Sequence, residues 1–93
     1  MNISNKVSLF DKLANIKHIV NHQGVHTVNC GIDEIVYGRL GKNWIATWGV
    51  PGTYIEKVTH HFSSEEEILS WINAICSAKD AKEKLDIVLN KKF

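Results

Sequence analysis

The sequence predicts an α+β fold: an N-terminal helix, an antiparallel meander of three or four strands, and a long or broken C-terminal helix, in the order α-β-β-β-β-α. Three observations predict it. Apolar residues recur at helical spacing near the start, at Leu9, Leu13, Ile16 and Val20, and again from Ile68 onward. Between those stretches they alternate with polar residues, the period of a half-buried strand, and glycines punctuate the alternation. The run Ser63-Ser64-Glu65-Glu66-Glu67 then has the form of a helix start.

The first helix is expected over about residues 5–22, with Phe10 and Ile19 widening its stripe, Ser4 or Ser8 as cap, and Gly24 as its stop. In the following segment Val28, Cys30 and Ile32 alternate with Thr27, Asn29 and Gly31, which predicts a strand and then a turn near Asp33. Gly41, Lys42 and Asn43 suit a three-residue hairpin loop between Leu40 and Trp44. In the next strand Trp44, Ala46 and Trp48 share one face. Val50-Pro51-Gly52-Thr53 places Pro and Gly at the centre of a type II turn. A last strand over 53–62 then needs a bulge near Glu56 to keep Tyr54, Val58, His60 and Phe62 together. The stretch from Trp44 to Phe62 thus reads as a β-hairpin that holds four of the eight aromatic residues.

The C-terminal stripe of Ile68, Trp71, Ile72, Ile75, Ala78, Ala81, Leu85 and Val88 is compatible with one helix over 64–91 or with two. A single helix of that length would be roughly 40 Å long, more than a chain of this size is expected to span. Asp80, followed three residues on by Glu83, offers a second N-cap.

Ninety-three residues with 44% hydrophobic and 23% charged content fit one small globular domain. Eleven basic against ten acidic residues leave a formal charge of +1, too little to steer the chain onto duplex nucleic acid. No segment reaches the roughly 20 apolar residues of a membrane span, and Met1 to Lys12 lacks a leader pattern, so a cytoplasmic location is expected. The two cysteines, Cys30 and Cys76, are too few for a disulfide framework and are read as reduced thiols, Cys76 within the core.

Catalytic and metal-binding signals are weak. His18 and His22, four apart on the expected helix, suit its C-terminal end better than a metal, and neighbouring His60 and His61 point to opposite faces of a strand. Cys30 could act as a nucleophile only if His26 or His60 packed beside it. No nucleotide loop or metalloprotease helix is present. The expected protein is therefore not an enzyme and carries no cofactor or metal.

The order helix, strands, helix is similar in topology to double-stranded-RNA-binding domains. That family carries a lysine cluster at the start of its last helix, where this chain has Glu65, Glu66 and Glu67, and the assignment is rejected. Single-stranded nucleic acid could instead stack on Trp44, Trp48 and Tyr54 beside Arg39, Lys42 and Lys57. The stronger expectation is a non-catalytic module that binds another protein stoichiometrically, as an accessory, inhibitor or immunity-type factor. Those aromatic and basic residues would form its contact surface, and the C-terminal helix would serve for a homodimer.

Overall fold

In a computed structural model, which describes residues 16–93, five strands form one antiparallel meander: β1 (Ile16–Val20), β2 (His26–Cys30), β3 (Asp33–Leu40), β4 (Asn43–Gly49) and β5 (Val58–Phe62). Two helices follow, α1 (Glu65–Cys76) and α2 (Ala81–Asn90). The α+β class and the meander agree with the sequence reading. The strand count and the N-terminal helix do not.

The expected helix over 5–22 fails where it can be tested, because residues 16–20 form an edge strand paired with β2, Ile16 opposite Cys30 and Val20 opposite His26. Residues 5–15 of that expectation lie outside the described residues. Three of the five residues of β1, Ile16, Ile19 and Val20, are β-branched and suit a pleated surface better than a helix interior. The chain then turns at Asn21, whose side chain accepts from the backbone N–H of Gln23 and Val25, and Gly24 takes the positive φ of 80° that the reversal requires.

Two further turns are tighter than expected. Cys30 pairs with Asp33, so β2 and β3 are joined by Gly31 and Ile32 alone, and Leu40 pairs with Asn43, so Gly41 and Lys42 suffice for the next. Gly52 has the positive φ of its turn, at 80°, and Thr53 closes the loop by donating from Oγ1 to the Val50 carbonyl at 2.7 Å. The chain does not resume as a strand at once. Residues 51–57 form an exposed loop and β5 begins only at Val58, so no bulge at Glu56 is needed.

Alternation divides the sheet into two faces. The inner one carries Val28, Ile35, Tyr37, Ala46, Trp48 and Phe62, all buried under Ile68, Leu69, Trp71, Ile72 and Ile75 of α1 and Val88 of α2. The other presents the row Ile19, Thr27, Val36, Thr47 and Thr59, in which Thr47 and Thr59 share a hydrogen bond of 2.8 Å.

Both helix starts are fixed by local hydrogen bonds. Ser64 caps α1 by accepting from Glu67 N–H at 3.2 Å, while Glu67 accepts from Ser63 N–H at 2.8 Å. Asp80 caps α2 by accepting from Glu83 N–H at 2.8 Å, while Glu83 accepts from Lys79 N–H at 2.6 Å. These reciprocal bonds satisfy N–H groups that a helix start leaves unpaired. The second set divides the C-terminal stripe into two helices. At the far end of α2 the rings of the core serve its last carbonyls: Trp71 Nε1 donates to Ile87 O at 3.1 Å and His60 Nε2 to Val88 O at 2.7 Å.

An Asp80→Ala variant is expected to lose about 1 kcal/mol of stability in urea titration, through its cap, with little change in the denaturant slope. A loss within error would contradict that assignment.

Candidate functional site

The turn between β2 and β3 carries the densest chemistry among the described residues. Asp33, the first residue of β3, is 1% exposed, the one buried charged residue described. Its Oδ2 accepts from the Trp48 indole N–H at 3.2 Å and from Lys84 Nζ at 3.0 Å. A carboxylate withdrawn from water must be paired, and these two donors, one from β4 and one from α2, supply that pairing.

Directly across the turn, Cys30 is bonded to Cys76, the last residue of α1, with the Cα atoms 5.9 Å apart. This overturns the reading of both as reduced thiols and removes Cys30 as a nucleophile in the bonded state. The two residues are 46 positions apart, and only the fold brings the end of β2 to the end of α1. A disulfide in a chain expected to be cytoplasmic is unusual for that compartment. Among the described residues no helix is long and apolar enough to cross a membrane.

Beside this turn lies a cleft of about 370 Å³. One wall is the turn, with Ile32 and Asp33; another is the corner between the helices, with Ala78, Lys79, Asp80 and Ala81; the rest comes from Trp48, Val50, Ile55, Lys84 and Leu85. Its lining is mostly apolar, and the Asp33–Lys84 pair belongs to it. Three large apolar side chains that border it remain open to solvent: Ile32 at 74%, Ile55 at 51% and Leu85 at 42% exposure. They come from three separate elements, the turn, the 51–57 loop and α2.

The sequence-predicted contact residues do not converge. Trp48 is 2% exposed and Ala46 fully buried, so the face they share lies under the helices. Trp44, half-buried, packs against the core edge with the Arg39 guanidinium 5.7 Å from its ring centre. Tyr54 stands fully exposed on the 51–57 loop, and Lys57 lies along Gly49 at the edge of a second concavity with Glu34, Val36 and Thr47. The three rings therefore form no common exposed platform.

A second polar cluster lies at the other end of the inner face. His18 Nε2 and His26 Nδ1 are 2.9 Å apart with ring centres at 5.1 Å and planes within 17°, so the rings meet end to end through one shared proton. His26 stacks face to face on Tyr37, centres 4.3 Å apart. The Tyr37 hydroxyl donates to Glu65 Oε2 at 3.0 Å, and His26 Nε2 stands 4.0 Å from the same oxygen. Nitrogens aimed at each other hold a proton, whereas two ligands of one metal ion must aim at a common point outside the line between them. Among the described residues, no group of three or more His, Cys, Asp or Glu side chains is placed to hold a metal ion.

Partial burial lowers the proton affinity of both imidazoles. For His18 the charge of His26 adds to that effect, and Glu65 opposes it in both. The Tyr37 hydroxyl is held protonated far above the ordinary tyrosine range, by burial first and then by the Glu65 charge and hydrogen bond. Sequence reasoning missed this cluster because it placed His18 on a helix with His22. The signal that could have found it is the Asn21-to-Gly24 turn, which folds Ile16–Val20 back on His26–Cys30.

Compared with protein-family models, curated proteins and solved structures, the chain matches none.

Two outcomes are expected. Asp33→Asn weakens the pairing of Lys84 and should destabilise the fold by about 1–3 kcal/mol in chemical denaturation, since a charge partly withdrawn from water loses its counter-ion. A loss within error would show that Lys84 is served by solvent instead. The histidine pair makes stability depend on pH. Because both folded values lie below the unfolded value of 6.5, the unfolded chain binds more protons. The contribution is complete above pH 6.5 and is lost as pH falls through the lower folded values. A His18→Gln/His26→Gln variant should show a shallower decline in melting temperature below pH 6.5 than the parent.

Proposed function

We propose that this protein is a non-catalytic module that binds another protein stoichiometrically, as an accessory, inhibitor or immunity-type factor, and that the cleft beside the β2–β3 turn is its docking surface. The observation that carries this is the ring of Ile32, Ile55 and Leu85, open to solvent around one apolar cleft. Scattered exposed apolar residues are ordinary, but three that converge from different elements on one concavity have the form of an interface core. The partner would present branched or aromatic side chains to the cleft, and Lys79 and Asp80 at its border would give a polar rim.

A homodimer is the second reading, supported by Leu85 and Leu89, which lie four apart on α2 and are both exposed. Such a pair forms a stripe that a second copy could cover in a symmetric interface. Single-stranded nucleic acid has less support: of the two cation–ring pairs among the described residues, Lys91 lies over the buried Phe62, which leaves Trp44 with Arg39.

The test is capture of partners on the immobilised protein, with Ile32→Asp/Leu85→Asp as the matched control and nuclease added to a parallel sample. A protein retained by the parent, lost with the variant and unaffected by nuclease is the expected result. Material lost on nuclease treatment, or retained equally by the variant, would sink the cleft as a docking surface. Light scattering over a concentration series checks the dimer. A mass that rises to twice the monomer and returns to one with Leu89→Glu is expected for pairing through α2.

A further inference from the structure

The cleft has two walls that the chain joins only through long detours, the β2–β3 turn and the corner between α1 and α2. Two ties join the turn to the helices, the first within the lining of the cleft and the second just outside it. One is the ion pair from Asp33 to Lys84, at 3.0 Å, and the other is the disulfide from Cys30 to Cys76. Neither cysteine is sealed in the core: both are only partly buried, in contrast to Val28 and Ile75 close to them in the chain, which are fully buried.

We propose that the Cys30–Cys76 disulfide is a redox clamp on the cleft. In the bonded state it holds the β2–β3 turn, with Ile32 at its tip, against the helical corner. A dithiol reductant delivers two electrons and two protons, the sulfur–sulfur bond breaks, two cysteine thiols form and the reductant becomes a disulfide. Of the two ties from the turn to the helices, the Asp33–Lys84 pair then remains. Reduction loosens this end locally without dissolving the fold, because Ile35, Ile68, Trp71 and Ile72 belong to a core of twelve buried apolar side chains against which Cys76 packs only as a partly buried neighbour. The helical ladder is interrupted at the corner: α1 ends after Cys76, and α2 is restarted independently by its own Asp80 cap.

The clamp concerns the cleft read above as a docking surface, but its test uses no partner. The full chain, isotopically labelled, is compared before and after treatment with dithiothreitol, and again after reoxidation, with Cys30→Ser/Cys76→Ser as reference. Amide hydrogen exchange at Ile32, Asp33 and residues 78–81, and exchange of the Trp48 indole N–H bonded to Asp33, are read by nuclear magnetic resonance. Mass spectrometry counts the two hydrogens gained. Exchange at those positions should accelerate at least about tenfold on reduction, the order expected when a local opening loses a cross-link, and should recover on reoxidation. Amides of Ile35 and Ile72 should keep their rates, and the double variant should match the reduced protein with no response to reductant. Free thiols in the air-oxidised protein, unchanged exchange on reduction, or acceleration spread through Ile35 and Ile72 would each overturn the clamp. If the local response is seen but Ile32→Asp/Leu85→Asp retains every partner, the clamp stands and the docking reading falls.

Discussion

The arrangement depends on a carboxylate that has been taken out of water. A buried carboxylate needs donors, and the two that Asp33 has, Trp48 and Lys84, belong to β4 and α2. Satisfying one buried group thus ties together the sheet and a helix that follows it by almost fifty residues. Because Asp33 faces Cys30 across a two-residue turn, the same few atoms also anchor the end of α1 through the disulfide. The turn is held to both helices, and its tip residue Ile32 has nowhere to fold but outward.

What could be read from the sequence was what local chemistry decides. The caps at Ser64 and Asp80 are spelled out within four residues, and both form as their spacing implies. Strand alternation placed Trp44, Ala46 and Trp48 on one face, and Val58, His60 and Phe62 on another that proved continuous with it. Whether that face was covered could not be read, since burial of Trp48 depends on where α1 and α2 land. Residues 16–20 misled because their apolar spacing satisfies a helix stripe and a strand about equally, and pairing with β2 decides between them. The disulfide was hidden for a related reason. Reading β2 through to Ile32 left Cys30 in mid-strand, whereas the turn at Gly31 and Ile32 puts it at the strand end, opposite Cys76.

The two polar clusters of the inner face differ in what they can do. At one end His18, His26, Tyr37 and Glu65 are consumed by one another: each ring or carboxylate already serves its neighbour, and the shared proton of the imidazole pair leaves no converging lone pairs for a metal ion. At the other end the Asp33–Lys84 pair is likewise satisfied, but the surface around it is not. The apolar side chains there exceed what the fold has buried.

That excess is informative because folding alone does not demand it. A two-residue turn prefers small polar residues at its tip, a loop after a Pro-Gly turn tolerates any polar residue, and the outer side of a short helix is commonly charged. Ile32, Ile55 and Leu85 occupy those three positions instead, at some cost in solubility. They meet around one cleft rather than being scattered. The inner face of the sheet is already filled by the core, and its outer face is broken up by threonines and a glutamate. At the end where turn, loop and helical corner meet, three exposed apolar side chains converge on one concavity, and this convergence is why recognition is proposed there.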